Sequence, residues 1–299
     1  MSDLLQENLQ HWSLMVGRLR DNQNFFNSIL PADFMRFAIA YYKNNTAGKN
    51  IVERFKELAF TPQIPVIELK KKTIYCDEIT NYPELKEIDL LVFASTHKSE
   101  KGNPSLSLHA PGNFRSNDLG GKPGKVSMAS SFALKYLFEK LNKNAEKARL
   151  NENYEITLEV THHGPSINIP CIFIEIGSSE LQWKDKEAAK VLAKTILSLQ
   201  DFKPDEKWVP CIGIGGPHYC PNFNKIQLKT DYAISHIIAQ YNLPVTETII
   251  KEAEMKTKEQ IKSVLIDWKG CGRSEERQNL ISLLEKLGLK YKRTSDIEK

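Results

Sequence analysis

The sequence lacks several patterns that fix the class of a protein at once. Nowhere in its 299 residues is there an uncharged apolar run of the roughly 20 residues that a membrane-spanning helix needs. The start of the chain lacks the basic-then-apolar order of a secretory signal peptide. Its five cysteines form no CxxC pair, which argues against a disulfide framework and a zinc ribbon. We therefore expect a cytosolic protein with no membrane segment.

The sequence also lacks the short motifs of several common enzyme families. No HExxH segment is present, which argues against the common zinc peptidases, and no GxGxxG fingerprint or Walker lysine marks a nucleotide site. Internal repeats and low-complexity segments are absent as well. Charge is nearly balanced, with 41 Lys+Arg against 37 Asp+Glu and a net charge of +4. Such a small surplus does not by itself establish nucleic-acid binding.

What the chain does contain is a regular alternation of short apolar runs and helical patterns. Its 41% hydrophobic content is enough for a sizeable core. Strands are predicted at 35–42, 64–69, 88–95, 154–161, 171–176, 209–214 and 263–268. Helices are predicted at 51–60, 127–149, 183–199, 247–260 and 274–287. This alternation favours an α/β fold, a three-layer α/β/α sandwich around a mixed, mostly parallel sheet.

The beginning of the chain differs from the rest. Apolar residues there recur at spacings of four and three, which predicts a short amphipathic helix. They are Leu5, Leu9, Trp12, Val16 and Leu19. We expect residues 1–33 to form an N-terminal extension that packs on its own domain or on a sister subunit. Residues 34–299 are expected to form the main α/β domain.

The seven histidines are the most informative residues of the composition. Apart from His11, they lie in or beside three loops that follow apolar runs, at 96–114, 161–170 and 213–219. These six are His97, His109, His162, His163, His218 and His236. Ligands of open α/β sheets bind beyond the carboxyl ends of the strands, so we expect the histidines to converge on one site.

Two kinds of chemistry fit such a site. Neutral imidazole is a favoured zinc ligand, and a catalytic zinc typically keeps three protein ligands. Because no HxH spacing is present, those ligands have to come from separate loops. The alternative is a metal-free site in which imidazoles act as general acids, bases or phosphate partners. His162 and His163 both face one ligand only if the chain turns, and Gly164-Pro165 supplies a turn.

Two glutamates and a glycine-rich turn add candidate residues. A carboxylate on a buried strand is costly unless it is paired, so Glu175 is predicted as a general base or a partner of the histidines. Glu159 lies in a weaker apolar run and is expected to face water. In GIGGPHY, the N–H groups of Gly213, Gly215 and Gly216 are candidates for holding a substrate oxyanion.

The segment 97–125 carries a local surplus of three positive charges. Its basic residues are Lys98, Lys101, Arg115, Lys122 and Lys125, and its acidic residues are Glu100 and Asp118. A flexible basic loop beside a histidine cleft suits a phosphate-bearing substrate, although charge runs are most often solvated surface.

Together these segments resemble a known family, the D-aminoacyl-tRNA deacylases of the archaeal and plant type. The resemblance rests on FASTHKSEKGNPSLSLHAPGNF, EVTHHGPSINIPCIFIEIGSSELQW and GIGGPHYCPNF, with DYAISHI around His236 and IDWKG at 266–270. It covers about residues 35–293, and the THHGP and GGPHY motifs are highly specific. It implies hydrolysis of the ester between a D-amino acid and the 3′-terminal ribose of tRNA. The implied fold is related to peptidyl-tRNA hydrolases and nucleoside phosphorylases.

The resemblance also implies zinc, one or two ions, and it matches His97, His109, His162, His163 and His218 to the family's histidine positions. We expect His109, His162 and His236 as metal ligands and His163, Glu175 and His218 as catalytic residues. Substrate-binding residues are expected to be His97, Lys98, Gly213, Gly215, Gly216 and Asp267. The partner is the acceptor end of D-aminoacyl-tRNA, bound by a monomer or small homo-oligomer, with residues 34–299 as the catalytic domain.

Other classes of function stay open at this point. In a metal-free enzyme, His163, Glu175 or the neighbouring ribose hydroxyl assists the attack of water. A tRNA-binding module without catalysis needs only the basic loop. A zinc-dependent peptidase or amidohydrolase, or a nucleoside phosphorylase, is permitted by the fold, since fold alone does not fix function.

Overall fold

The computed structural model of the protein describes residues 35–58, 64–99 and 102–297. Residues Met35–Lys299 cluster as one unit. The predicted extension at 1–33, with its amphipathic helix, lies outside the described residues. In the described part of the chain, no helix has the length and apolar character needed to cross a membrane.

The described residues up to Gly177 form eight strands and two helices. In order these are β1 (Phe37–Tyr42), α1 (Thr46–Phe55), β2 (Val66–Leu69), β3 (Leu90–Thr96), β4 (Ser105–His109), β5 (Gly112–Asn113), β6 (Lys125–Val126), α2 (Ser131–Lys147), β7 (Glu155–Leu158) and β8 (Cys171–Gly177). Six of the strands form one sheet in the order β2-β1-β3-β8-β4-β7. Neighbours in it are parallel except for the β8–β4 pair, which is antiparallel.

The described residues after Gly177 form a further set of strands and helices. They are α3 (Glu180–Trp183), α4 (Lys186–Leu197), β9 (Val209–Ile214), α5 (Pro221–Lys229), β10 (Tyr232–Ile238), α6 (Glu247–Met255), β11 (Ser263–Ile266), α7 (Ser274–Lys286), β12 (Tyr291–Arg293) and α8 (Thr294–Ile297). The order β10-β9-β11-β12 makes a four-stranded parallel sheet. The segment after β7 joins the two sheets, because the Thr161 N–H donates to the Ile237 carbonyl at 2.9 Å.

Helices cover one face of both sheets. Apolar side chains of α1, α2, α4 and α5 share one core with inward residues of both sheets. Two polar caps begin the helices of this layer, since the Asn45 side chain accepts from the Gly48 N–H and Ser130 accepts from the Ala133 N–H. Helices α6 and α7 cover the other face of the four-stranded sheet. This arrangement confirms the predicted α/β class with a mixed, mostly parallel sheet.

Within residues 35–58, 64–99 and 102–297, no long helix covers the second face of the six-stranded sheet. Short 3₁₀ turns between residues 73 and 85 pack on part of it, around Phe93 and Phe173. The rest is covered by the loops that carry the histidines. This face therefore has room for polar side chains under irregular backbone.

Several elements depart from the predicted ones. The segment 96–114 contains β4, whose alternating Ser-Leu-Ser-Leu sequence is short and half polar, and strand β10 and helix α5 were also not predicted. The predicted runs at 154–161 and 88–95 become β7 and β3 with shifted ends. Such shifts are expected where turns and tertiary pairing, more than local preference, set the end of a strand.

Candidate active site

The strands of the six-stranded sheet place polar residues on its loop-covered face by simple alternation. In β3 the apolar residues Leu90, Val92 and Ala94 face the helices, so Ser95 and then His97 face the loops. The same period places Glu175 of β8 between Ser95 and Ser107 in the register of the sheet.

Strands β4 and β7 extend the same polar row. His109 ends β4 two positions after Ser107, and Glu159 directly follows β7 two positions after Thr157. The intervening Leu108 and Leu158 belong to the core beneath the helices. Four strands thus converge on one polar surface, which is buried by loops.

Glu159 is the central carboxylate of this surface and is only 2% exposed. Its Oε1 lies 3.1 Å from His97 Nδ1, and its Oε2 lies 3.0 Å from His218 Nε2 and 3.4 Å from His162 Nε2. Each of these histidines comes from a different loop. The expectation that Glu159 faces water is therefore wrong, because β7 continues beneath those loops.

Glu175 is the second buried carboxylate. Its Oε2 lies 3.7 Å from His97 Nδ1 and 3.8 Å from His109 Nε2. The rings of His109 and His163 pack around Phe173, with centroid distances of 5.2 and 4.7 Å. We call the seven side chains the histidine–glutamate cluster: His97, His109, His162, His163, His218, Glu159 and Glu175.

The adjacent histidines His162 and His163 are both turned into the cluster. His163 has a φ of 46°, a left-handed conformation that non-glycine residues adopt rarely and that occurs at functional sites. The turn is packed tightly, since a Cβ on Gly164 would lie 2.3 Å from the Gly121 nitrogen and 2.4 Å from the Ile74 carbonyl oxygen. Only glycine fits there.

Backbone carbonyls fix the tautomers of these two rings. His162 Nδ1 lies 2.7 Å from the Val160 carbonyl oxygen, and His163 Nδ1 lies 2.7 Å from the Gly164 carbonyl oxygen. A carbonyl only accepts, so Nδ1 carries the proton and Nε2 presents its lone pair. Carbonyl contacts of this kind orient metal-binding histidines.

Burial and neighbours keep these two rings neutral. Burial, with the nearby ring of His109, lowers the pKa of His163 to about 4 and lowers the pKa of His162 well below its usual value. The Nε2 lone pair of His162 then points at the Glu159 carboxylate. Two acceptors 3.4 Å apart are favourable when a cation lies beside them.

The remaining histidines show a different balance. Burial would lower the pKa of His97, but its contacts with Glu159 and Glu175 outweigh burial and raise that pKa to about 10. Burial would likewise raise the pKa values of both glutamates. The nearby imidazoles, His218 and His97 for Glu159 and His109 and His97 for Glu175, lower them instead.

The cluster contains donor atoms with no protein partner. Among the described residues, both ring nitrogens of His109 and Nε2 of His97 are buried without a hydrogen bond. Three overlapping groups place their ligand atoms within 4.8 Å of one another: His109 with His162 and His163, His97 with Glu159 and His218, and His109 with Glu159 and Glu175. Imidazole nitrogens and carboxylate oxygens in such sets fit a zinc-type ion.

Close packing around strand β8 fixes the position of His97. A Cβ on Gly177 would lie 2.5 Å from Ser105 Oγ and 2.9 Å from His97 Cδ2. The carbonyl of His97 accepts a hydrogen bond from Trp183 Nε1 at 3.0 Å. The ring of Tyr219 lies 5.5 Å from that of His97, and its hydroxyl donates to Ser105.

His236 does not join the cluster. Its Nε2 lies 3.2 Å from the Lys256 carbonyl oxygen and its Nδ1 lies 3.2 Å from Thr161 Oγ1. Both ring nitrogens are therefore occupied, and no lone pair is left for a metal ion. The prediction of His236 as a ligand fails for this reason, whereas the six predicted residues His97, His109, His162, His163, His218 and Glu175 do come together.

In the glycine-rich segment at the end of β9, backbone groups hydrogen-bond to neighbouring strands. Gly213 lies within β9 and pairs with both neighbouring strands, and the Gly215 N–H donates to the Ile238 carbonyl. Gly215 and Gly216 have φ values of 96° and 85°, and a Cβ on Gly215 would lie 2.7 Å from the Asp267 carbonyl oxygen. The N–H groups of Gly213 and Gly215 are thus committed, which contradicts their predicted role as oxyanion donors.

Two further predicted residues lie outside the cluster. Asp267 is buried beside this turn, where its Oδ2 accepts from Asn222 Nδ2 at 3.0 Å. Lys98 is exposed directly after His97, where a substrate can reach it.

Sequence reasoning missed the central role of Glu159 and the contact of Tyr219 with His97. The alternation that places Thr157 and Glu159 on one face was readable in EITLE. Which face would be buried depends on loops far away in the sequence, and for that reason the pattern alone did not decide it.

Fold and site define an α/β protein with a buried histidine–carboxylate centre, a kind of centre that hydrolytic enzymes use to activate water. A sequence model of one family, described as D-aminoacyl-tRNA deacylase, matches residues 84–292. The chain belongs to that D-aminoacyl-tRNA deacylase family.

Individual relatives agree with this assignment. A D-aminoacyl-tRNA deacylase from Thermococcus onnurineus is 40% identical over 205 residues, which cover 68% of this chain and 73% of the relative. One from Methanocaldococcus jannaschii is 32% identical over 268 residues, 87% of this chain and 100% of the relative. A crystal structure of a conserved protein of unknown function superimposes with a TM-score of 0.79 at 28% identity, over 88% of this chain and 96% of that one.

Proposed function

We propose that this protein hydrolyses the ester between a D-amino acid and the 3′-terminal ribose of tRNA, releasing the free amino acid and tRNA. Family membership supports the substrate, and the histidine–glutamate cluster supports the chemistry. The single observation that carries the proposal is Glu159, whose buried carboxylate lies within 3.4 Å of three imidazoles from three loops. Because the substrate belongs to translation, we place the activity in the cytoplasm.

His109, His162 and His163 are the proposed ligands of one zinc ion. The Nε2 atoms of His162 and His163 present lone pairs, and neither ring nitrogen of His109 has a hydrogen bond within the described residues. When bound, zinc supplies Lewis-acid chemistry, lowering the pKa of water and polarising a carbonyl. His97, Glu159 and His218 form another group of possible ligands. Because the two histidines of that group already contact the Glu159 carboxylate, we propose a single zinc ion for the site.

The other residues of the cluster then divide the reaction among them. The Glu175 carboxylate, between His97 and His109, accepts the proton of the attacking water. His97 is protonated and its Nε2 has no partner, so it donates a hydrogen bond to the oxyanion. The proton that Glu175 takes from water then passes to the leaving ribose oxygen, and His218, whose side chain is 38% exposed, lies at the rim and hydrogen-bonds that oxygen.

The substrate assignment is tested with a pair of esters that differ in one stereocentre. D-Tyr-tRNA and L-Tyr-tRNA are incubated with the protein, and release of labelled tyrosine is followed. We expect hydrolysis of the D ester with the L ester left intact. Equal hydrolysis of both would contradict chiral selection, and hydrolysis of neither would leave the tRNA-binding module as the better description.

The metal assignment is tested by zinc content together with activity. We expect a chelated preparation to lose activity and to recover it with added zinc. His109→Ala and His162→Ala are expected to lose bound zinc, measured by elemental analysis, while His236→Gln retains it because its ring nitrogens are occupied by protein groups. Full activity in a zinc-free preparation would contradict the metal proposal and favour the metal-free mechanism.

A further inference from the structure

A cleft of about 510 Å³ lies beside the amino end of α1 and is lined by none of the basic residues of segment 97–125. Lys43, Lys49, Lys184 and Lys186 line it, and Glu53 is its one carboxylate among the described residues. We call it the lysine cleft. In a chain with a net charge of +4, this is a strong local concentration of positive charge.

Most of the charge in the lysine cleft is uncommitted. Lys184 pairs with Glu180 at 2.6 Å. Within the described part of the chain, Lys43, Lys49 and Lys186 are exposed and form no ion pair with a carboxylate. Ammonium groups held close together without counter-charges favour a polyanionic ligand.

The segment 97–125 differs in this respect. The Arg115 guanidinium donates to the carbonyls of Asn242 and Pro244, so it fastens one loop to another. Lys125 pairs with Glu252 at 3.0 Å. Part of the positive charge that the sequence placed there is therefore structural.

Short contacts connect the lysine cleft to the histidine–glutamate cluster. Asn45, in the cleft wall, donates to Thr96 Oγ1 at 3.1 Å, directly before His97. Trp183, directly before Lys184, donates to the carbonyl of His97 at 3.0 Å. The cleft and the cluster thus meet at the end of β3.

We propose that the lysine cleft binds backbone phosphates of the tRNA acceptor end while the terminal ester lies in the histidine–glutamate cluster. This inference rests on the proposed function. The ester is on the last ribose, so the preceding phosphates have to leave the cluster over adjacent surface. The lysine cleft is an adjacent surface, and three of its lysines are exposed and form no ion pair with a carboxylate of the described residues.

The experiment compares two substrates and two triple variants. D-Tyr-tRNA carries the phosphates, whereas 3′-O-D-tyrosyl-adenosine carries the same ester without them. One variant is K43A/K49A/K186A. The control, K56A/K86A/K194A, removes three exposed lysines outside the cleft, at the far ends of α1 and α4 and before β3. Thermal melting verifies that both variants fold.

For the cleft variant, we expect kcat/KM with D-Tyr-tRNA to fall about 10- to 100-fold through KM and its logarithmic salt slope to shrink by roughly 2. Hydrolysis of the adenosine ester should not change. An unchanged value with tRNA, or an equal loss in the control variant, would overturn the inference.

Failure of the proposed function would look different. If the wild type hydrolyses neither ester, the proposed hydrolytic function is contradicted. The proposed binding of tRNA by the lysine cleft is then tested separately, by fluorescence anisotropy with uncharged tRNA. Tighter binding by the control variant than by the cleft variant supports the cleft; equal binding overturns it. Inorganic phosphate as competitor separates the two sources of the anion, because suppression of tRNA binding at low millimolar phosphate would indicate a site for the free anion instead.

Discussion

At the scale of single residues, Glu159 has the largest predicted effect. Replacing Glu159 with Gln keeps its volume but removes the charge that holds His97 and His218 beside it. We expect kcat/KM for the D ester to fall at least about 100-fold, as for loss of a preorganised charged partner. The pKa of His97, raised to about 10 in the wild type, should fall, and an NMR titration of its ring measures this.

The matched control is Glu155→Gln on the same strand, since Glu155 is exposed. It should leave both activity and the titration of His97 unchanged. Retention of full activity by Glu159→Gln would show that this carboxylate does not organise the site.

At the scale of elements, the end of β8 is the most sensitive point. Gly177→Ala introduces a methyl group 2.5 Å from Ser105 Oγ and 2.9 Å from His97 Cδ2. We expect a loss of about 1–3 kcal/mol in the free energy of unfolding, because overpacking forces neighbours apart. A fall of at least about tenfold in kcat should accompany it, since small displacements of catalytic groups are costly.

Gly124→Ala is a control that strains the backbone without moving a residue of the histidine–glutamate cluster. Gly124 has a φ of 67° but nothing within 4 Å of an added Cβ. It should destabilise the protein by about 1 kcal/mol, from the left-handed backbone alone, and leave kcat unchanged. Denaturant unfolding and steady-state kinetics on both variants make the comparison.

At the scale of the whole molecule, the buried His236 makes stability depend on pH. Burial lowers the pKa of His236 to about 4 in the folded protein. In the unfolded chain its pKa is about 6.5, so between these two pH values the unfolded chain binds a proton at His236 and the folded protein does not. Stability is therefore complete above pH 6.5 and falls as the pH drops toward 4. Between pH 7 and pH 5 this residue should cost about 2 kcal/mol.

Urea unfolding of the wild type and of His236→Gln at the two pH values isolates the effect. The difference in the free energy of unfolding between pH 7 and pH 5 should be smaller in the variant by about 2 kcal/mol. An identical pH dependence in both proteins would mean that His236 is not buried as a neutral ring.

Much of the architecture was predictable because it rests on local patterns. The runs that form β1, β8 and β9 are short, apolar and bounded by turn residues, so the sequence predicted them as strands. Strand β4 was not, because three of the five residues of SLSLH are polar and the segment resembles a loop until a neighbouring strand pairs with it. The unpredicted α5 is a short helix of nine residues whose packing, more than its composition, stabilises it.

The candidate site divides in the same way. The motifs THHGP and GGPHY, and the crowding of histidines behind apolar strands, were enough to predict a convergent site with His97, His109, His162, His163 and His218. They did not separate these from His236, because a histidine bonded through both nitrogens looks the same in sequence as one with a free lone pair.

The sequence by itself determined the residue types, the α/β class of the fold and the family of the protein. It did so because these depend on short-range alternation and on motifs that are contiguous in the chain. Only the tertiary structure decided that Glu159 is buried beneath three loops, that the N–H groups of Gly213 and Gly215 pair with backbone, and that lysines without an ion pair lie beside α1. Those outcomes depend on the register of strands that are distant in sequence and on which polar atoms find a hydrogen-bond partner. Neither property can be predicted from a local segment of the sequence.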